Sequence, residues 1–228
     1  LENNASLSYE ALRENFDAFA SRVGEAMDTK VDKVEGKGLS TNDFSDELKS
    51  KLTKTIRENI KMAQDYTFKN GLDGLASMAK KAIQLKTDMS LVNGFLEKTS
   101  TVEGAITTGA NLQVLGGNYA VGANPLSMLY ESLNDTEGMF DRAVNMTKGK
   151  VFYNNESGNF EMSGFDRYMM KHAATQMGID PSKLIDVAFR EAALNKIESE
   201  AKRSKIGNDE DMVELVKNLA TWNNGKAV

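Results

Sequence analysis

Two prolines are all that this 228-residue chain contains, and each follows a side chain suited to begin a helix: Asn124-Pro125 and Asp180-Pro181. Proline has no backbone N–H and a φ already fixed near the helical value, so the first turn of a helix is where it costs least. An Asn or Asp just before it accepts hydrogen bonds from the orphan N–H groups of that turn. The pattern therefore predicts helix starts at Pro125 and Pro181, and no other proline interrupts the chain. Leu126, Met128, Leu129 and Leu133 follow the first start as a short apolar face. Leu184, Ile185, Ala188, Ala192 and Ile197 follow the second, predicting a helix to about Ser204.

The same periodicity fills most of the remaining chain. Leu12, Phe16, Phe19, Val23 and Ala26 recur at spacings of four and three, a coiled-coil-like rhythm that predicts a helix over about 8–33 with an assembly seam along it. Gly36-Lys37-Gly38 ends that pattern, and Ser45 caps a second helix over about 46–68 with Leu48, Leu52, Ile56, Ile60 and Ala63 on one side. This helix also carries Lys49, Lys51, Lys54, Arg57 and Lys61 against Glu58, a candidate polyanion contact that a merely solvated face explains as well. Asn70-Gly71 breaks it, and a third helix over about 72–86 follows. Asp135-Thr136-Glu137 opens another, with Met139, Phe140, Ala143, Val144 and Met146 apolar. Phe165, Tyr168, Met169, Ala173 and Met177 define one more, which Gly178 closes. A helix with Met212, Leu215, Val216, Leu219 and Trp222 comes last. Lys150–Tyr153 and Asn159–Met162 flank a turn-rich loop and read as a small β-hairpin over about 150–162.

Between Glu103 and Glu131 lie 27 residues without a formal charge, five of them glycine. Thr107, Thr108, Asn111, Gln113, Asn118 and Asn124 interrupt the stretch too often for a membrane span. Residues 100–124 are therefore expected to be an uncharged linker or packed loop between an N-terminal helical region, 1–99, and a C-terminal helical module, 125–222, with 223–228 a frayed tail. The fold class is mainly α, with one hairpin.

Chemistry is narrowed mostly by exclusion. Without cysteine there is no disulfide, thiolate nucleophile or zinc finger, and the single histidine, His172, allows no two-histidine metal face. No serine or carboxylate can be placed beside His172 from sequence, so a solvated or core-edge imidazole is the simpler reading. Asp209, Glu210, Asp211 and Glu214 gather at a helix start, where the helix dipole accounts for them. Asp43 and Asp46 lack calcium-loop spacing, and neither Gly36-Lys37-Gly38 nor Gly116-Gly117 sits in a phosphate-binding motif. The helix pair over Phe165 to Ser204 has only Lys183 at the start of its second member, so helix packing outweighs DNA reading. A net charge of −5 and pI near 5.1 provide no global field for nucleic acid or an anionic membrane. No catalytic, cofactor-binding or metal residues emerge, and the expectation is a protein that is not an enzyme. The chain begins at Leu1 without a basic segment leading into an apolar one, so no signal peptide is expected; a fragment or processed form would read the same way.

The segment Val31-Asp32-Lys33-Val34-Glu35-Gly36-Lys37-Gly38-Leu39-Ser40-Thr41-Asn42-Asp43-Phe44, followed by Leu48-Lys49-Ser50-Lys51-Leu52, resembles a sequence recurrent in structural proteins of tailed bacteriophages. There it joins a helical stretch to the next module of fibre, baseplate or tail proteins. Asn124-Pro125 through Ile197, with Met177-Gly178-Ile179-Asp180 before the long helix, is similar to helical modules of virion and tape-measure-like proteins of gut phages, including crAss-like phages. The chain lacks the β-rich receptor-binding end of fibres. The resemblance implies a virion structural protein of the tail or capsid interior, made in the host cytoplasm, multi-copy or homo-oligomeric, with other virion proteins as partners and ejection with the genome as an option. The alternative is a helical DNA- or protein-binding module without catalytic activity. A third reading, contact with the host envelope, draws on the uncharged stretch alone.

Overall fold

The computed structural model describes residues 62–203 continuously, together with residues 50–51, 54–57, 217, 222–223 and 226–227. The seam Leu12, Phe16, Phe19, Val23 and Ala26 lies outside the described residues. So do Lys49, Lys61, the segment Val31–Phe44 and the apolar positions Met212, Leu215, Val216 and Leu219.

The architecture is mainly helical, as expected. Residues 50–51 and 54–57 are helical and bury Ile56, and a helical turn, α1 (Met62–Asp65), precedes an irregular Tyr66–Phe68. Helix α2 (Gly71–Gln84) turns Leu75, Met78, Ala79 and Ala82 inward. Its end is closed by the Thr87 N–H donating to the Ala82 carbonyl at 2.9 Å, with Lys86 in the left-handed region at φ 50°. A 3-10 turn (Met89–Val92) leads straight into α3 (Asn93–Thr99), and both are lined by buried Met89, Val92, Phe95 and Leu96.

The uncharged stretch departs from expectation. It is neither a loop nor a linker: α4 (Val102–Leu115) and α5 (Gly117–Val121) occupy it. Thr101 caps α4 by accepting from the Gly104 N–H at 3.1 Å, and Ala105, Thr108, Gly109 and Leu112 form a narrow buried stripe at spacings of three and four. That stripe is built from small residues, so hydrophobic periodicity barely marks it. Gly116 and Gly117, at φ 69° and 55°, make the corner between the two helices.

Both proline-marked starts hold. Helix α6 (Pro125–Asn134) has the Asn124 Oδ1 accepting from the Ser127 N–H at 2.9 Å, and α9 (Pro181–Arg203) has the Asp180 Oδ1 accepting from the Ser182 N–H at 2.8 Å. Between them, α7 (Thr136–Thr147) is capped by Asp135, which accepts from the Gly138 N–H at 2.9 Å. Helix α8 (Gly164–Met177) is capped by Ser163 and ends on left-handed Gly178. The hairpin is present as β1 (Phe152–Asn154) and β2 (Asn159–Glu161), antiparallel with Tyr153 opposite Phe160. It leans on α9, where the Lys196 ammonium lies 4.7 Å from the Tyr153 ring centre. A second, two-residue pair joins β3 (Trp222–Asn223) to β4 (Lys226–Ala227), where the sequence reading placed Trp222 on a helix and a frayed tail after it.

One apolar cluster runs from Ile56 through Leu75, Phe95, Leu112, Met128, Phe140 and Met177 to Leu194. It draws on helices from both sides of residues 100–124, so the expected boundary there is not a division of the described core. Two expected faces also shift. In α6, Met128 and Ser132 point inward while Leu126 and Leu133 are exposed; in α8, Met170, Ala173, Ala174 and Met177 point inward while Phe165 and Tyr168 are exposed.

Candidate assembly face and polar cleft

Helices α4 and α6 pack antiparallel. Gly109, in the middle of α4, sits against Pro125 and Met128 at the start of α6, and a Cβ built there would fall 2.9 Å from the Pro125 ring. At the other end, the Ser132 Oγ donates to the carbonyl of Thr99, just before α4, at 2.8 Å. The two flanks of α4 are distinguished by hydrogen bonds. The Asn111 amide reaches Gln176 on α8 at 2.7 Å, while the Gln113 amide reaches the Ala123 carbonyl at the mouth of α6 at 3.3 Å. Ile106 is seven residues before Gln113 and therefore shares the α6 flank, with Val102 one turn further back.

These two side chains are exposed, at 59% for Val102 and 54% for Ile106. Across from them, Leu126, Tyr130 and Leu133 follow one another at spacings of four and three on the outward side of α6, exposed at 75%, 53% and 49%. Val114 and Val121 are exposed as well, so the uncharged stretch and the turn after it hold most of the large apolar side chains that meet solvent among the described residues. Val102, just before Glu103, and Phe152, Phe165 and Tyr168 are the others. An apolar surface of this kind, with no Lys, Arg, Asp or Glu between Glu103 and Glu131, is the composition of an interface centre.

Beside this face lies a polar cleft of about 480 Å3, whose walls include Asn118, Gly122, Glu131, Asp141, Arg142 and Lys148. Its arginine is already committed. The Arg142 Nε donates to the Glu131 Oε2 at 2.6 Å, Nη2 completes a fork onto Oε1, and Nη1 donates to the Gly122 carbonyl. This two-pronged contact ties α7 to α6 and to the end of α5, so an anionic ligand would have to displace Glu131 to reach the guanidinium. Asn118 adds a bond to the Lys148 carbonyl at 2.8 Å. The cleft is stitched by its own side chains.

A third polar group joins α2 to α7. The Lys81 ammonium donates to Glu137 at 3.0 Å and Asp141 at 2.7 Å, and the Ser77 hydroxyl donates to the same Glu137 oxygen. Partial burial pulls the Lys81 pKa down, but the hydrogen bonds and charges of Asp141 and Glu137 outweigh it and hold the pKa above the ordinary lysine value. A lysine held protonated cannot serve Ser77 as a base, so the trio is a tie between helices.

The remaining sequence candidates separate. Lys51, Lys54 and Arg57 are exposed around buried Ile56. His172 is exposed on α8, with its ring 4.4 Å from that of Tyr168 one turn earlier. Among the described residues, no group of three or more His, Asp or Glu is placed to hold a metal ion, and no helix is long and apolar enough to cross a membrane. No protein-family model, curated protein or solved structure matches this chain. Sequence reasoning missed the α4–α6 face, which the uncharged run marks only in part, since Val102 and Leu133 lie just outside it.

Proposed function

We propose that this protein is a structural subunit that works through helix-mediated contacts, and that the assembly it belongs to is the virion of a tailed phage, in the tail or the capsid interior. The observation that carries the assembly reading is the exposed apolar face of α4 and α6, on which Ile106, Leu126 and Tyr130 lie within the uncharged run and Val102 and Leu133 just outside it. In a chain with 27% charged residues, keeping that surface free of charge is costly for solubility and is offset when a partner covers it. The virion part rests on the resemblance of Val31–Phe44 and Leu48–Leu52 to joining segments of phage structural proteins.

The test is mass spectrometry of purified particles from the phage that encodes this chain. Its peptides are expected at a fixed ratio to the major capsid protein through successive purification steps. Their absence, or a ratio that falls with each step, overturns the virion reading.

A further inference from the structure

Lys81, Lys150, Lys196 and Lys202 each pair with a carboxylate. Lys86 is placed differently. It follows α2 in the left-handed region, at φ 50°, and two hydrogen bonds bracket it against α9. The Arg190 Nε donates to the carbonyl of Gln84, two residues before it, at 2.8 Å. The Lys183 ammonium donates to the carboxylate of Asp88, two residues after it, at 3.2 Å. Lys86 is thereby set between two cations of α9, and Asp88 is already engaged. Among the described residues no carboxylate reaches the Lys86 ammonium. Partial burial, then the positive charges of Arg190 and Lys51, hold its pKa below the ordinary lysine value. Lys51 is exposed, with Lys54 and Arg57 following it at three-residue spacing, also exposed.

We infer that Lys51, Lys54, Arg57, Lys86 and Arg190 form one cationic surface that binds the phosphate backbone of a nucleic-acid strand. With Lys183 included, the described charges at this corner are six cations against Asp88 and Asp186, on a chain of net −5. Gathering like charges costs folding free energy, which a bound polyanion offsets. The extent of the surface favours a strand over a single phosphate. Lys51 to Arg57 alone covers about 9 Å of helix axis, while each strand of a duplex repeats its phosphates about every 3.4 Å. An anionic membrane fits less well, because the large apolar side chains that meet solvent lie on α4, α5, α6, α8 and β1. None comes from residues 50–51, 54–57, 84–90 or α9 to enter the lipid beside these cations. Lysine and arginine held against phosphates give a contact indifferent to base sequence. Such a contact needs neither a second subunit nor a virion.

Fluorescence anisotropy of the full-length chain with a labelled mixed-sequence duplex tests this. Binding is expected at about 50 mM salt and should weaken steeply as salt is raised. The double variant Lys51→Gln, Lys86→Gly removes two cations, and its second change puts glycine where the backbone is already left-handed, so the helical circular dichroism should be retained. Its affinity should fall about tenfold at that salt, and the slope of log affinity against log salt should flatten by about 2. Lys148→Gln, beside the polar cleft, should bind as the unaltered chain does. No binding, or binding that the double variant leaves unchanged, overturns the inference. An equal loss in Lys148→Gln also overturns it, since a diffuse field would then replace this corner. Displacement of the duplex by inorganic phosphate at matched phosphate concentration would mean a small-anion site in place of a strand site. Flotation with phosphatidylserine vesicles, without duplex binding, would make lipid the occupant; either result overturns the strand assignment.

Discussion

Tyr119 carries a polar group that its surroundings leave unmatched. It lies on α5, is buried, and its hydroxyl has no hydrogen-bond partner among the described residues. The Lys150 ammonium lies 5.2 Å from its ring centre and also pairs with Asp166. Burial, and secondarily the negative charge of Asp166, push its pKa up to about 12. The folded protein therefore holds this proton more tightly than the unfolded chain, whose tyrosine titrates near 10. The resulting stability is complete below pH 10 and is lost as pH rises from 10 towards 12, a span worth about 3 kcal/mol. Tyr119→Phe should retain or gain about 1 kcal/mol at pH 7, because the lost hydroxyl was unpaired. Its stability should also fall less steeply over pH 10–12 than that of the unaltered protein. Urea unfolding across that range measures both, and a variant destabilised at pH 7 would mean that the hydroxyl is satisfied.

At the scale of elements, how closely helices approach depends on which glycines lie between them. Gly94 on α3 and Gly178 at the end of α8 meet backbone to backbone, and a Cβ on Gly94 would fall 2.1 Å from the Gly178 carbonyl oxygen. No side-chain rotation relieves that overlap, so the two helices would have to separate. Gly94→Ala should cost about 2–3 kcal/mol, within the usual range for overpacking. Gly164, at the start of α8, has nothing within 4 Å of the same built atom. Gly164→Ala should therefore be neutral or stabilising by up to about 1 kcal/mol. Thermal melts of the pair give opposite signs if the approach is as close as described, and a neutral Gly94→Ala would contradict it. The periodic and capped elements were legible in sequence because their signals are local: Asn124, Asp135 and Asp180 each bond N–H groups two or three residues away. Helix α4 was not, because its buried stripe is Ala, Thr, Gly and Leu, whose inward role depends on what packs against them. The Asn224-Gly225 pair between β3 and β4 was a readable hairpin signal.

For the molecule as a whole, the consequence is cooperativity. Leu112 is fully buried on α4, and the core that contains it also contains Leu75 of α2, Met128 of α6 and Met177 of α8. Leu112→Ala should destabilise by about 2–5 kcal/mol, and near- and far-ultraviolet circular dichroism should report the same shifted transition. Two separated transitions would restore the division at 100–124. The amino-acid sequence by itself determined that the chain is mainly helical, where α6 and α9 begin, that a hairpin falls near 150–162, and that chemistry based on thiols or histidine pairs is absent. Caps, prolines and composition act within a few residues and need no partner. The tertiary structure alone decided which apolar side chains are covered. Leu126, Leu133, Phe165 and Tyr168 match the helical pattern as well as Met128 and Met177 do, and only the arrangement of neighbouring helices leaves the first four in solvent. Burial is a property of the packed whole, so the face on which the proposed contact rests could not be read until the helices were placed around their core.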